Sequence, residues 1–242
     1  MLQNIKELLG AKLAAADGDI GKIRDFYFDD KSWAVRYLVA DTGSWLSGRL
    51  VLLSPHSLGR FDQVGKLLPV ALTRRQIEDS PSIETEKPVS RQYEVDYYHH
   101  YGYPAYWRGG GMWGFGGFPV VVMPPLKEEV DAAMRPDHEE DPHLRSAKAV
   151  TGYDIQATDG SLGSVTSFMV DDKSWAIGEL VVEAGHWYSG KEILIPTTKI
   201  TRISYEDSKV FVSLTLADLK ATGENEVAAV DGNNPASTFI GR

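Results

Sequence analysis

The sequence predicts an all-β protein made of two small β-barrels, each ending in a short C-terminal helix and joined by a connector rich in aromatic residues and glycine. Three observations predict it: an internal repeat, turn signals about every ten residues inside each repeat, and a middle segment whose composition differs from both flanks.

Shifted by 142 residues against itself, the chain aligns residues 10–77 with 152–219 without a gap, and 23 of the 68 pairs are identical. The strongest stretch is Asp29-Asp30-Lys31-Ser32-Trp33-Ala34 against Asp171-Asp172-Lys173-Ser174-Trp175-Ala176. Asp17-Gly18 with Gly21 matches Asp159-Gly160 with Gly163, and Trp45, Ser47 and Gly48 match Trp187, Ser189 and Gly190. Two copies at so long a period describe twin domains and not a solenoid.

Within the first copy, apolar runs predict strands over residues 12–16, 20–28, 37–41, 49–53 and 66–72. An Asp-Gly turn separates the first two, and Gly21 predicts a bend or bulge in the second. Residues 29–32 form a polar turn, the hairpin crosses Gly43 to Gly48 with Leu38 and Val51 in the core, and Pro55 ends a strand. Thr73 with Gln76, and Thr215 with Asp218, carry the capping signature of a helix start, the second pair matching more closely. Five or six short strands in about 70 residues leave fewest open edges when they close into a barrel.

The resulting boundaries are 1–79 for the first barrel, 80–145 for the connector, 146–222 for the second barrel and 223–242 for a flexible tail. Seven of the 23 glycines fall between Gly102 and Gly117, which predicts an irregular middle. The net charge of −9 is spread as +1, −5, −3 and −2 over those four regions, with no cluster of Lys and Arg. A phosphate backbone and an anionic bilayer both call for such a cluster, so nucleic acid is excluded as a partner and a membrane surface is disfavoured. The absence of cysteine excludes disulfides, thiolate nucleophiles and cysteine-ligated zinc. No basic leader with a long apolar stretch opens the sequence, and no run approaches the roughly 18 apolar residues of a spanning helix, so a soluble cytoplasmic protein is expected.

Taken together, Asp-Gly-x-x-Gly before a bent strand, Asp-Asp-x-x-Trp before Tyr37-Leu38-Val39 or Leu180-Val181-Val182, and a hairpin ending in Gly-Arg or Gly-Lys resemble the PRC-barrel family. That family is named for the cytoplasmic domain of the photosynthetic reaction-centre H subunit and also forms the C-terminal barrel of a ribosome-maturation factor. The resemblance implies a barrel that docks onto other macromolecules and brings no shared catalytic set. The second copy departs from the first at Gly178-Glu179, opposite Arg36-Tyr37, and at Pro196-Thr197, opposite Ser54-Pro55, so the two surfaces are expected to bind different things, or only one of them to bind.

Chemistry-bearing candidates are few. Asp29-Asp30 and Asp171-Asp172 are adjacent in sequence, and neighbouring turn residues do not face each other across a pocket as a glycosidase pair must. They also lack calcium-loop spacing, and a turn role is expected. His99-His100, and His138 and His143 among Glu139, Glu140 and Asp141, have no ligand spacing and read as solvated connector. Ser47 and Ser189 lack a nucleophile-elbow context. Trp33 and Trp175 are expected to pack over the barrel ends, whereas Trp45 and Trp187 sit in hairpin loops where an indole can anchor a partner.

Residues 93–118 hold ten aromatic rings, including Tyr106 and Trp107, too many for a solvated linker. Tyr-rich segments of this kind join paired barrels in other bacterial proteins of the type the chain resembles. The segment is expected to cover a barrel or to meet a partner. The reading is therefore a non-catalytic adaptor without cofactor or metal, its partner another protein or a second copy of itself, and its contact residues Trp45, Trp187, Arg36, Tyr106 and Trp107. The alternatives are a membrane-peripheral subunit of a photosynthetic or electron-transfer complex and, behind it, a metal-dependent hydrolase.

Overall fold

In the computed structural model, which describes residues 1–81, 83, 89, 91–121, 144–185 and 191–218, both Asp-Gly turns reverse the chain between antiparallel strands. The described residues are mostly β, with few helices, and form two sheets. Two compact units result, one of Met1–Val150 with Ser167–Gly178, the other of Thr151–Thr166 with Glu179–Arg242.

In the first unit the strands β2 (Lys12–Ala15), β3 (Gly18–Asp29), β4 (Ala34–Asp41), β5 (Leu50–Leu53) and β6 (Leu67–Pro69) lie in the order β5-β4-β3-β2-β6, with β6 parallel to β2. Twelve residues make β3 long, and Gly21 bends it. Leu13 faces Gly21 and Ala14 faces Asp19, so Ile20 is the extra residue of a bulge and is fully buried. Gly21 has φ +123°, and a Cβ there would stand 1.9 Å from the Asp41 carbonyl oxygen, which only glycine avoids. Apolar side chains of Leu13, Phe26, Phe28, Leu38, Val51 and Leu53 fill the interior.

The helix α2 (Arg74–Glu78) closes the set as expected, and its cap is tighter than the sequence suggests. Thr73 and Gln76 form a full reciprocal capping box. Arg74 N–H also donates to Asp17 Oδ1 at 2.7 Å, and Leu216 N–H repeats that bond to Asp159 at 2.8 Å.

Among the described residues, several elements lie where the sequence reading places none. The strand β1 (Leu2–Asn4) and the helix α1 (Ile5–Leu8) precede the first predicted strand, and α3 (Arg91–Tyr101) occupies the connector expected to be irregular. The first pair is too short to show periodicity, and Asn4 starts the helix by accepting from Lys6 N–H at 2.9 Å. The helix α3 mixes polar residues into its sequence and buries the charged Glu94 beside Val95, Tyr97 and Tyr98, which hides the 3.6-residue apolar stripe.

The compact units also divide the chain differently from the repeat. After β7 (Leu144–Ser146) and α4 (Ala147–Val150), the strands β8 (Asp154–Ala157) and β9 (Gly160–Asp171) begin the second copy. Yet β7 pairs with the end of β3, Leu144 opposite Asp29, and β1 pairs with the end of β9, Leu2 opposite Asp171. Both registers belong to the first unit and coincide once one of them is shifted by the repeat interval. Backbone bonds Val35 N–H to Trp175 O at 2.9 Å and Ile177 N–H to Trp33 O at 2.7 Å extend the same reciprocity.

In the other sheet, β10 (Ile177–Ala184), β11 (Glu192–Pro196), β12 (Ile200–Ser204) and β13 (Lys209–Val212) complete the order β11-β10-β9-β8-β13-β12, with β13 parallel to β8. Gly163 repeats the role of Gly21: φ is +159°, and a Cβ would stand 2.0 Å from Glu183 O. Ile155, Leu180, Val182, Ile193, Ile195 and Val210 form its core.

Candidate functional site

Seven consecutive residues of β4, Ala34 to Ala40, are buried, whereas its counterpart β10 keeps Glu179 and Glu183 accessible. A strand of an ordinary half-buried sheet alternates. The second face of β4 is covered by α3 and the loop that follows it. Tyr97 and Tyr98 are fully buried against Tyr37, at 5.2 and 6.4 Å between ring centroids and both edge-on. Tyr103 stacks on His56 at 4.9 Å, and Trp113 meets the same imidazole edge-on at 5.1 Å.

Charges inside this layer are matched with acceptors and donors. Glu94 has 0% of its surface exposed, and it accepts from the Tyr37 hydroxyl at 3.1 Å, the Tyr106 hydroxyl at 2.6 Å and the Arg91 guanidinium at 2.8 Å. Burial, and then the neighbouring Glu94 carboxylate, hold the Tyr37 and Tyr106 hydroxyls well above the usual tyrosine range. Arg36 lies beneath the Tyr106 ring at 3.7 Å and the Trp113 ring at 4.8 Å. It donates to Met112 O at 2.6 Å and Ser32 Oγ at 2.9 Å, and pairs with Asp29 at 3.5 Å.

The repeated Asp-Asp-Lys-Ser-Trp turns are structural in geometry. Asp29 accepts from Lys31 and Ser32 N–H, and Asp171 from Lys173 and Ser174 N–H. Trp33 and Trp175 follow with φ of 52° and 56°. Trp33 stacks on Phe28 at 5.7 Å, and Trp175 is buried beside Phe26 at 6.3 Å.

The five expected contact residues fall in different places. Arg36 and Tyr106, 2% and 4% exposed, are interior and offer a partner no surface. This corrects their expected role: both are consumed by the layer that holds the connector down. Trp107 is half-buried, with the Arg91 guanidinium 4.6 Å from its ring. Trp45 is half-buried beneath Arg74 at 4.6 Å, and Trp187 lies outside the described residues, as do Ser189, His138 and His143. His100 is hydrogen-bonded through its ring to Gln76 O at 3.1 Å. Among the described residues no group of three or more metal-ligating side chains converges, and no helix is long and apolar enough to cross a membrane.

Surface rings appear instead within the connector, after its buried Tyr and Trp residues. Phe115 is 94% exposed and Phe118 53% exposed, and Val120 and Val121 follow them onto the surface. Trp113 fixes this segment by donating from Nε1 to Ser174 O at 2.8 Å. The sequence contained the signal in the change from Tyr and Trp to Gly-Phe-Gly-Gly-Phe, since glycine supplies no side chain to bury a neighbouring ring.

The PRC-barrel domain model matches residues 144–219. That match covers under a third of the chain, and it begins at Leu144, so β7 opens the domain although it pairs with β3. An uncharacterized protein of Deinococcus radiodurans is 31% identical over 85 residues, 35% of this chain and 30% of that protein. The matched part thus spans under a third of that relative's length.

Proposed function

We propose that the protein is a non-catalytic interaction or assembly module of the cytoplasm, built from two closed PRC-type barrels that arose by duplication. The duplication is supported by the 23 identities in 68 aligned residues and by the recurrence of β8 and β9 at the spacing of β2 and β3. The interaction role is supported above all by Phe115 and Phe118, which stand in solvent on a segment whose other rings are buried or half-buried. Exposed aromatic side chains on a fixed loop are the groups that anchor interfaces.

Replacing both rings, Phe115→Ser with Phe118→Ser, is expected to abolish self-association in light scattering, or capture of a partner from the native host, without lowering the melting temperature. Trp45→Ala with Trp187→Ala tests the hairpin loops in the same assays. Unchanged association and capture in both variants would sink the proposal.

Peripheral attachment to a membrane is the second reading, favoured by the apolar surface row Phe115, Phe118, Val120 and Val121. Flotation with vesicles in moderate salt separates it from the first, since an apolar anchor survives screening.

A further inference from the structure

On the first unit, Met1, Pro55, His56, Leu58, Gly59, Arg60, the 119–121 segment and the Asp172–Trp175 turn enclose a cleft of about 900 Å³. Its walls are pinned. Pro55–Ser57 form a 3-10 turn capped by Ser54, and Gly59 N–H donates to Pro69 O at 2.8 Å. The opposite wall is the Asp171 turn, tied to the connector through Trp113.

Two kinds of surface meet there. Leu58, Val120, Val121 and the buried Trp175 supply apolar lining, and Val120 is 59% exposed with nothing seated on it among the described residues. Arg60 and Lys173 are exposed cations in the same lining, and neither has an ion pair among the described residues. The carboxylate of the lining, Asp172, shares the Met1 ammonium with its neighbour Asp171. The His56 Nε2 atom, in the same wall, is buried without a hydrogen-bond partner.

We propose that this cleft binds a single-chain organic anion, an alkyl carboxylate whose chain covers Leu58, Val120, Val121 and Trp175 while its charged end is drawn to Arg60 and Lys173. A cleft of this volume lies in the range of small-ligand sites, and its walls present apolar and polar surface in nearly equal parts. Arg60, Lys173 and the Met1 ammonium outnumber the Asp171 and Asp172 carboxylates by one, and this positive balance selects an anion over a neutral alcohol or an amine. Each cation contributes through a charge-assisted contact while the alkyl chain supplies the area.

Calorimetric titration of the full chain with monomeric dodecanoate tests this. One saturable site is expected, with dodecanol at least about tenfold weaker and Arg60→Gln with Lys173→Gln reducing dodecanoate affinity about tenfold or more. Val120→Trp, a change at an exposed position, fills the cleft and is expected to abolish binding. Circular dichroism and melting temperature should be those of the parent in both variants. The proposal is overturned by absence of saturable binding, by equal affinity for acid and alcohol, by indifference to the substitutions, or by uptake seen with phosphatidylglycerol vesicles alone.

Discussion

Glu94 and His56 show how single residues hold the aromatic layer in place. Glu94 satisfies two tyrosine hydroxyls and a guanidinium in a place water does not reach. Glu94→Ala would strand all three partners, and a loss of about 3–5 kcal/mol is expected in urea denaturation, whereas Glu94→Gln keeps an acceptor and costs less. Equal losses for the two variants would contradict the network. Burial first, and Arg36 second, depress the His56 imidazole from 6.5 to about 4. The folded state therefore keeps it neutral: the stabilisation is complete above pH 6.5 and is lost as pH falls from there towards 4, by at most about 3 kcal/mol. His56→Gln should flatten the stability–pH curve over that window, and an unchanged slope would place the acid sensitivity elsewhere. Asp25 acts in the opposite sense. Its carboxyl is raised, chiefly by burial, although Ser146 Oγ and Lys148 N–H donate to it. Its ionised form therefore weakens the fold at neutral pH, and Asp25→Asn is expected to cost little there.

Elements bend and close where glycine leaves room. A Cβ at position 21 or 163 would collide with a carbonyl oxygen of the paired strand, so Gly21→Ala and Gly163→Ala are each expected to lower stability by about 3 kcal/mol or more. Gly43→Ala, with no atom within 4 Å of the added Cβ, has only the backbone term of its φ of +54° to meet and should cost less. The same positions explain what could be read in advance. Asp-Gly-x-x-Gly, the Asp-x-x-x-Trp turns and the Thr73 cap are local: each residue acts on backbone within a few positions of itself, and the corresponding strands and helix are where the pattern puts them. The covering of β4 was half legible, because ten rings in 26 residues announce burial but not the surface they bury. Arg36 and Tyr106 were misread for that reason. A charged residue within an apolar strand resembles a surface contact until the chain that covers it, 70 residues later, is in place.

At the scale of the molecule, the ends of the two copies do not stay with their own sequence neighbours. Leu2–Asn4 and Leu144–Ser146 each close the long strand of the other copy, and the Ser167–Gly178 stretch folds with the first unit. No local pattern encodes this, since three-residue strands carry too little periodicity to name a partner. Its consequence is measurable by hydrogen exchange, which reports cooperative opening unit by unit. Residues Met169–Asp171 lie opposite β1, and Ile177 N–H bonds to Trp33 O, so protection in this stretch depends on β1 and on the turn after β3. In Gly21→Ala, which loosens the first unit, the 167–178 amides should lose protection together with those of β3 and β4, and by more than those of β11 and β13. In Gly163→Ala the order should invert, with 154–166, 179–185 and 191–212 opening before 167–178. If 167–178 follows β11 and β13 in both variants, the exchange of leading strands contributes little to stability, and each copy holds its own long strand unaided.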